Sequence, residues 1–370
     1  MKSTLLLSFV TLAAVCDAFS PAQLQRTQAG SLVAVVNNDG IKKTTVCASS
    51  TKTSNDSNIG IDFFKNIFNG NKNTLNAELD RPTDAMLEKV HFLILPGFGN
   101  APEDYTMPRS LVPTLQSRGW LGDNISVLPM KRSDWLKVFL CGALDLKFWQ
   151  SDAAPTRPAF RWYLELVASE VKRIVEESES GAVKVVLVGH SAGGWLARAS
   201  VGFGTTEVYP EREVMDSNVQ VALDNVLGIV SLGAPHLPPP DGEMDMTRGA
   251  LRITNELFPN SFHLSSGKFY VTVAGTAIVG EEQVRESVIE PTSVKGFAYN
   301  SYKAVCGDGN AIGDGVVPLE ASHLDGAEQL TLENCFHSIN APEEWYGSDN
   351  FIDQWHKVVL KQLDLCLKKN

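Results

Sequence analysis

Short apolar runs and helical spacings of apolar residues alternate along the chain from residue 89 onward. Continuous runs of branched apolar residues predict buried parallel strands, at residues 90–95, 125–128, 183–188, 226–232, 269–274 and 329–333. Apolar residues three and four positions apart predict helices, at residues 107–118, 161–177 and 353–365, with another directly after residue 191. Strands that alternate with helices favour an α/β fold with a mostly parallel, doubly wound sheet.

The first 60 residues are typical of a targeting sequence. Lys2 precedes an apolar run that is too short to span a bilayer and suits the core of a signal peptide at residues 1–18. Residues 19–60 are rich in Ser, Thr and Asn, and their start at Phe19 resembles the signal-plus-transit presequence of algae with secondary plastids, such as diatoms. We therefore expect a plastid location. The alternative is a plain secretory signal followed by a disordered linker, with the protein secreted or in the endomembrane lumen.

The remaining boundaries follow from the same pattern. Residues 61–88 are predicted to be a linker and N-terminal extension, in which a short amphipathic stretch at 61–68 packs against the domain. The folded domain is predicted to cover residues 89–370, a length that a single α/β domain can reach.

Charge and cysteine content exclude several classes of protein. The formal net charge is −11 and no basic stripe is present, which argues against a nucleic-acid partner. The cysteines show no C-x-x-C pairing and no metal-ligand spacing, so neither zinc nor a disulfide framework is indicated. Cys306 and Cys335 lie near the candidate site residues described below, and the sequence leaves open whether they pair or remain free thiols.

A glycine-rich turn joins the strand predicted at 183–188 to an apolar helical stretch. The turn reads Gly189-His190-Ser191-Ala192-Gly193, a G-x-S-x-G pattern in the strand-to-helix setting that a serine nucleophile needs. Small residues on each side let strand and helix approach closely, and the serine projects from the sheet edge. Ser191 is therefore the candidate nucleophile; the alternative is a glycine-rich turn with an incidental serine.

A serine nucleophile needs a base and a group that orients the base. In a turn of this kind the chain order is serine, acid, histidine. His337 follows the last predicted strand, at the carboxyl edge where the sites of open α/β sheets gather. Asp314 lies in a glycine-flanked turn before that strand and is favoured over Asp308 as the acid. The alternative is that both carboxylates only cap turns.

Two backbone N–H groups near the serine are needed to hold an oxyanion. One is the N–H of Ala192, directly after the serine. The other is expected from the loop after the strand at 90–95, which reads Pro96-Gly97-Phe98-Gly99. We expect Phe98 to be the donor and its side chain to border the acyl pocket, although the loop alone is equally compatible with an ordinary tight turn.

Together these segments resemble the α/β-hydrolase superfamily. The closer resemblance is to the plastid-type lipase-like and esterase-like serine hydrolases of plants and algae, which are grouped with GPI inositol-deacylase-like proteins. It rests on residues 95–100, 189–198, 233–240, 313–318 and 335–338. The resemblance implies an α/β-hydrolase fold with a small cap insertion and a triad of Ser191, Asp314 and His337. One departure is that the oxyanion loop begins Leu-Pro-Gly where many relatives have His-Gly.

An apolar insert occupies residues 133–160. An insert at this place often forms a cap over the site, and its composition suits a hydrophobic acyl or isoprenoid group. The candidate substrate-binding residues are Trp135, Phe139, Phe148 and Trp149. The alternative is a buried helical segment without contact with substrate.

The sequence therefore predicts a serine hydrolase that cleaves a carboxylic ester, either a lipid or another hydrophobic ester, through an acyl-enzyme intermediate. No metal or organic cofactor is expected. No nucleic-acid or protein partner is implied, and a peripheral contact with a membrane is left open. Two alternatives remain: acyl transfer to an alcohol on the same fold, and a non-catalytic α/β-hydrolase-like binding protein.

Overall fold

Six strands pair in parallel in the computed structural model, which describes residues 80–178, 182–204, 223–240, 242–243, 245–284, 292–341 and 343–368. The strands are β1 (Val90–Leu95), β2 (Ile125–Val127), β3 (Lys184–His190), β4 (Val226–Leu232), β5 (Phe269–Thr276) and β8 (Glu328–Glu333). Their order across the sheet is β2-β1-β3-β4-β5-β8. Two short strands, β6 (Ile278–Val279) and β7 (Ile312–Gly313), form a separate antiparallel pair. The predicted parallel sheet is confirmed.

Helices cover both faces of this sheet. They are α1 (Asp84–Lys89), α2 (Pro102–Thr106), α3 (Leu111–Ser117), α4 (Lys137–Gly142), α5 (Leu146–Trp149), α6 (Pro158–Glu177), α7 (Ala192–Phe203), α8 (Ala250–Leu257), α9 (Val294–Cys306), α10 (Leu319–Ser322) and α11 (Ile352–Leu367). Helices α6, α7 and α8 bury apolar residues against one face, and α1, α2, α3 and α11 do so against the other. The sheet is therefore doubly wound, as predicted.

The side chains of the strands separate two apolar cores. In β3, Val185 and Leu187 belong to one core, and Val186 and Val188 to the other, because successive side chains of a strand point to opposite faces. All four are buried. A sheet buried on both faces requires continuous apolar strands, which explains the unbroken apolar runs in the sequence. Each such side chain contributes roughly 1.5–3 kcal/mol on burial, and the resulting rigid sheet positions the loops at its carboxyl edge.

The helix predicted over residues 107–118 is wrong in its extent. Helix α2 ends at Thr106 and α3 begins at Leu111, so the residues between them are not helical. Pro108 lacks an N–H group and disfavours helical backbone at the residue before it. Arg109 has a φ of 64°, which an α-helix does not allow. The apolar spacing continues across this break although the backbone does not.

The insert at residues 133–160 is amphipathic. It consists of a 3-10 helix (Arg132–Leu136) followed by α4 and α5, and it leads into α6. One side is buried, with Trp135 at 3% and Phe148 at 2% exposure. The other side exposes large apolar side chains, namely Leu136, Leu140, Leu144, Leu146 and Trp149. Half of the insert therefore belongs to the core, and half forms an apolar surface.

Most of the predicted N-terminal segments lie outside the described residues. This applies to the signal peptide at 1–18, the transit-like segment at 19–60 and the amphipathic stretch at 61–68. Of the predicted extension at 61–88, the structure describes residue 80 onward, where α1 packs Met86 into the core. Within the described part of the chain, no helix is long and apolar enough to cross a membrane.

Candidate active site

Ser191 lies at the sharp turn between β3 and α7. Its backbone has φ 53° and ψ −126°, a conformation that costs a non-glycine residue on the order of 1–3 kcal/mol. A Cβ atom on Gly193 would lie 2.2 Å from the carbonyl oxygen of Leu95, and one on Gly189 would lie 2.4 Å from the carbonyl oxygen of Gly193. Glycine is therefore required at both positions, and the packing that needs them holds the serine at the apex of the turn.

His337 and Asp314 are in direct contact at the carboxyl edge of the sheet. The Nδ1 atom of His337 lies 2.7 Å from Oδ2 of Asp314. Asp314 is in the turn after β7, and His337 is in the loop after β8. Both side chains are buried. The structure therefore brings together the two residues that the sequence suggested as acid and base.

Four hydrogen bonds hold the carboxylate of Asp314. Oδ1 accepts from the N–H groups of Val316 at 3.0 Å and Val317 at 2.8 Å, and Oδ2 accepts from His337 and from the hydroxyl of Tyr346, each at 2.7 Å. Burial raises the pKa of this carboxyl, but attraction to His337 and the hydrogen bonds outweigh burial and hold the pKa below its ordinary value. Because the ionised carboxylate only accepts, Nδ1 of His337 carries the proton of this hydrogen bond, so the nitrogen left to accept a proton is Nε2.

Tyr346 is a site residue that nothing in the sequence suggested. It is fully buried, and its hydroxyl accepts from the N–H of Gly275 at 2.8 Å while it donates to Asp314. Gly233 makes room for this arrangement, because a Cβ atom there would lie 2.6 Å from Oδ2 of Asp314. Tyr346 belongs to no recognisable motif, so only the folded chain connects it with the acid.

The competing acid and the other histidines have different partners. Asp308 is exposed, and its carboxylate accepts from a backbone N–H two residues further along at 2.8 Å, so it caps its own turn. His323 follows α10, and its Nδ1 atom lies 2.9 Å from the hydroxyl oxygen of Thr272. His356, in α11, accepts from the indole N–H of Trp120 at 2.8 Å.

The residue before Ser191, His190, is in direct contact with His337. The ring centroids of His190 and His337 are 4.9 Å apart, and Nε2 of His190 lies 3.0 Å from the backbone oxygen of His337. The hydrogen bonds found among the described residues include the one between His337 and Asp314 but none between Ser191 and His337. A nucleophile–base bond is often long without substrate and tightens in the complex.

The loop after β1 passes directly against Ser191. A Cβ atom on Gly97 would lie 2.8 Å from the Cβ atom of Ser191, so the close approach requires glycine. Among the described residues, neither the N–H of Phe98 nor that of Ala192 finds an acceptor. The first N–H groups of a helix have no partner within the helix, which accounts for Ala192. Both predicted donors are therefore without a competing acceptor, with Ala192 directly after Ser191 and Phe98 directly after Gly97.

Aromatic side chains support this loop from the core side. The hydroxyl of Tyr163, in α6, donates to the carbonyl oxygen of Pro96 at 3.0 Å. The indole N–H of Trp135 donates to the carbonyl oxygen of Asn100, also at 3.0 Å. The rings of Phe98 and Trp135 have centroids 5.0 Å apart. Trp135, suggested by the sequence as a substrate-binding residue, is thus a buried support of the loop.

The other three candidate substrate-binding residues differ in position. Phe139 is half-buried, and its ring centroid lies 6.4 Å from that of Phe98. Phe148 is buried in the core. Trp149 is 45% exposed and donates its indole N–H to the carbonyl oxygen of Ala143 at 3.0 Å. Phe98 and Phe139 therefore form an apolar wall at the loop, whereas Phe148 is a core residue and Trp149 a surface residue.

Thiols and metal-ligating side chains add no further centre in the described part of the chain. Its His, Cys, Asp and Glu residues form no group that could hold a metal ion. Cys306 and Cys335 are both free thiols. Burial, together with nearby Glu320, raises the pKa of Cys306 to about 12, so this thiol is protonated at neutral pH and a weak nucleophile.

Comparison with known proteins gives only remote similarities. No protein-family model and no curated protein matches the sequence. Among solved structures, lipase 1 from Pelosinus fermentans is 14% identical with a TM-score of 0.41, over 75% of this chain and 98% of that chain. Esterase 2 from Thermogutta terrifontis is 13% identical with a TM-score of 0.37, over 78% of this chain and 87% of that chain.

A third structure is an acetyl ester-xyloside bifunctional hydrolase from Caldicellulosiruptor lactoaceticus. It is 13% identical with a TM-score of 0.36, over 75% of this chain and 83% of that chain. Similarities at this level decide neither an activity nor a substrate for this chain. The fold is identified by its own features, which are a parallel sheet with helices on both faces and a serine at the strained turn after β3. These features are those of the α/β-hydrolase fold.

Proposed function

We propose that this protein is a serine hydrolase that cleaves carboxylic esters through an acyl-enzyme intermediate. The observation that carries the proposal is the buried contact between His337 and Asp314, at the sheet edge that also holds Ser191. This contact holds the imidazole in the tautomer that a general base needs. The backbone strain at Ser191 is a second support, because strain of this kind clusters at active sites.

In the proposed first half-reaction, Oγ of Ser191 attacks the carbonyl carbon of the ester. Nε2 of His337 accepts the hydroxyl proton, and the ionised Asp314 stabilises the imidazolium that forms. The imidazolium then gives the proton to the alkoxy oxygen, the carbon–oxygen bond breaks, and the alcohol leaves. The acyl group remains on Ser191.

The charge that develops on the carbonyl oxygen needs fixed donors. We assign this role to the N–H groups of Phe98 and Ala192. Ala192 follows Ser191 and Phe98 follows Gly97, which passes against Ser191, and neither N–H has an acceptor among the described residues. Donors that are already oriented need no rearrangement in the transition state, and one such donor typically contributes about 10²–10³ in rate.

Water completes the proposed cycle. His337 removes a proton from water, the hydroxyl group attacks the acyl carbonyl, and the acid leaves as Oγ of Ser191 regains its proton. An alcohol in place of water would give acyl transfer with the same residues. The two outcomes differ only in the acceptor, so the yield of free acid in the presence of a competing alcohol distinguishes them.

The acyl group is proposed to be hydrophobic. Phe98 and Phe139 border the oxyanion loop with their rings 6.4 Å apart. Beyond Phe139, the same insert exposes apolar side chains, and Leu144 is the most exposed of them at 91%. An apolar wall that continues onto an apolar surface suits an acyl chain better than a polar one.

Labelling with a fluorophosphonate tests the proposed function directly. The probe should modify the wild-type protein and should not modify Ser191→Ala. Ser200→Ala is a matched control, because Ser200 is a buried serine in the same helix, α7, and its labelling should equal that of the wild type. A folded wild-type protein that is neither labelled nor active on nitrophenyl esters would instead be a binding protein.

A further inference from the structure

A buried chain of hydrogen bonds runs through Tyr105 and His190. The backbone N–H of Gly97 donates to the hydroxyl of Tyr105 at 3.0 Å, and that hydroxyl lies 3.0 Å from Nδ1 of His190. Nε2 of His190 lies 3.0 Å from the backbone carbonyl oxygen of His337. Tyr105 and His190 are both buried, so these bonds lie in a low dielectric where they are strong.

The direction of each hydrogen bond in this chain is fixed. A carbonyl oxygen only accepts, so Nε2 of His190 donates to His337. Burial, with His337 nearby, lowers the pKa of His190 to about 3, so the ring is neutral and Nδ1 accepts the hydroxyl proton of Tyr105. The oxygen of Tyr105 accepts in turn from Gly97. Every donor meets an acceptor in this assignment.

The chain joins three separate parts of the proposed active site. Gly97 is next to the proposed oxyanion donor, and His190 is next to the nucleophile. The carbonyl group at the far end belongs to His337, the proposed base. These parts follow three different strands, β1, β3 and β8. Tyr105 and His190 therefore connect loops that the sheet alone would leave to move independently.

We propose that Tyr105 and His190 are positioning residues that hold the oxyanion loop and the base at working distance from Ser191. This inference rests on the proposed function. Displacement of a reacting group by about 1 Å can cost roughly 10² in rate. The hydrogen bonds through Tyr105 and His190 restrict the movement of the oxyanion loop relative to the base.

Because His190 is neutral, it does not oppose the positive charge that forms on His337 when this residue accepts the serine proton. The two ring centroids are 4.9 Å apart, and a second cation at this distance would oppose the imidazolium that forms on the base. His190 uses one nitrogen as donor and the other as acceptor. It therefore fixes the base while it stays neutral itself.

The substitutions His190→Gln and His190→Met form a matched pair. Gln supplies an amide oxygen and an amide N–H in place of the two ring nitrogens, whereas Met has a similar length and supplies neither. The measurements are kcat and KM for a nitrophenyl ester, and the inhibition constant of an alkyl trifluoromethyl ketone, which forms a tetrahedral adduct with the serine. We expect His190→Met to lower kcat roughly 10-fold to 100-fold with KM nearly unchanged.

The inhibitor separates positioning from packing. In His190→Met, the ketone should bind more weakly by the same factor as kcat falls, because its adduct needs the same oxyanion donors. His190→Gln should stay within roughly fivefold of the wild type for both quantities, because it retains one donor and one acceptor. A loss of packing alone would lower the melting temperature of both variants without this kinetic difference.

Tyr105→Phe tests the other half of the chain, because it removes one oxygen atom and keeps the ring. We expect kcat to fall as in His190→Met, and the amide hydrogen of Gly97 to exchange faster because its acceptor is gone. Tyr270→Phe is the matched control. Tyr270 is also buried, in β5, but it takes no part in the hydrogen bonds that link Gly97, Tyr105, His190 and His337, so kcat and Gly97 exchange should stay at wild-type values.

Two results would overturn the inference. One is equal kcat and equal ketone affinity in His190→Gln and His190→Met when both are folded at the assay temperature. The other is an unchanged exchange rate of the Gly97 amide in Tyr105→Phe. A wild-type protein without esterase activity would contradict the proposed function instead, and the exchange measurement would still decide whether the link through Tyr105 exists.

Discussion

Asp314 and His337 are joined twice. The backbone N–H of His337 donates to the backbone oxygen of Asp314 at 2.9 Å, and the imidazole donates to the carboxylate at 2.7 Å. The first bond fixes the distance between the two loops, and the second fixes the rotation of the ring. The proposed acid and base are therefore held together as one unit, and Ser191 is the proposed partner that must be positioned against them.

The first prediction concerns the triad. Ser191→Ala and His337→Ala should each lower the esterase rate by roughly three to four orders of magnitude or more, because triad members act as a unit. Asp314→Asn should be severe as well, since an amide that donates to Nδ1 favours the wrong tautomer of the imidazole. Initial rates on a nitrophenyl ester measure all three.

Asp308→Asn is the control for the acid. Asp308 is exposed and caps its own turn, so the variant should keep the wild-type rate. An inactive Asp308→Asn beside an active Asp314→Asn would show that the assignment of the acid is wrong.

The second prediction concerns Tyr346. Tyr346→Phe removes a donor from Asp314 and leaves the N–H of Gly275 without its acceptor. The free energy of unfolding should fall by about 1–3 kcal/mol, and kcat should fall because the carboxylate is less firmly held. Tyr302→Phe is a matched comparison. The Tyr302 hydroxyl likewise accepts from one backbone N–H, that of Gly315 next to Asp314, but it donates to the carbonyl oxygen of Ile278 and not to the carboxylate.

We expect similar losses of stability in the two tyrosine variants and a much larger loss of kcat in Tyr346→Phe. Chemical denaturation and steady-state rates provide the comparison. Equal kcat in both variants would mean that Tyr346 serves the fold and not the acid.

The third prediction concerns the acyl chain. If Phe139 lines the path of the chain, kcat/KM should rise from acetyl to octanoyl esters by up to about 0.8 kcal/mol per buried methylene. Phe139→Ala should flatten that rise and leave acetyl turnover nearly unchanged. Leu365→Ala is the control, because Leu365 is an exposed leucine of α11, outside the insert and on the other face of the sheet. A profile that peaks at acetate would contradict a hydrophobic acyl group.

The fourth prediction concerns stability against pH. Burial lowers the pKa of His356 to about 4. The unfolded chain binds this proton below about pH 6.5 and the folded chain does not, so acidification favours unfolding until the folded pKa is reached. His356 alone should cost about 2 kcal/mol of stability between pH 7 and pH 5.

His356→Gln should remove that part of the pH dependence, because Gln keeps an acceptor for Trp120 and does not titrate. Denaturation at the two pH values measures it. His323→Gln is the comparison, since His323 is only half-buried and should contribute less. An unchanged pH dependence in His356→Gln would assign the acid sensitivity to other groups.

The elements that could be predicted from the sequence are those marked by neighbouring residues, such as an apolar run or a glycine-rich turn. The strand at 226–232 was predicted with its observed bounds, because a central strand buried on both faces must be apolar throughout. Ser191, Asp314 and His337 could be suggested from chain order and turn residues. The helix predicted at 107–118 was started four residues too early, because its apolar spacing continues through Pro108 to Leu111, where α3 begins.

Long-range contacts left no such signal. Tyr105 and Tyr346 reach the site across the fold by single hydroxyl groups, and neither belongs to a motif. The insert has a clear apolar signal, but its composition does not determine which aromatic side chain faces the core. Trp135 is buried and Trp149 is exposed, although both belong to one apolar stretch.

Gly233 has a consequence for how this protein can diverge. Its φ is 56°, and a Cβ atom would lie 2.6 Å from the carboxylate of Asp314. A mutation to alanine would cost roughly 1–2 kcal/mol in backbone strain, which a folded domain can survive, but it would push the acid away from the base. One methyl group should therefore be enough to abolish the proposed activity, and we expect a descendant with any other residue at this position to be inactive even with its serine, aspartate and histidine intact.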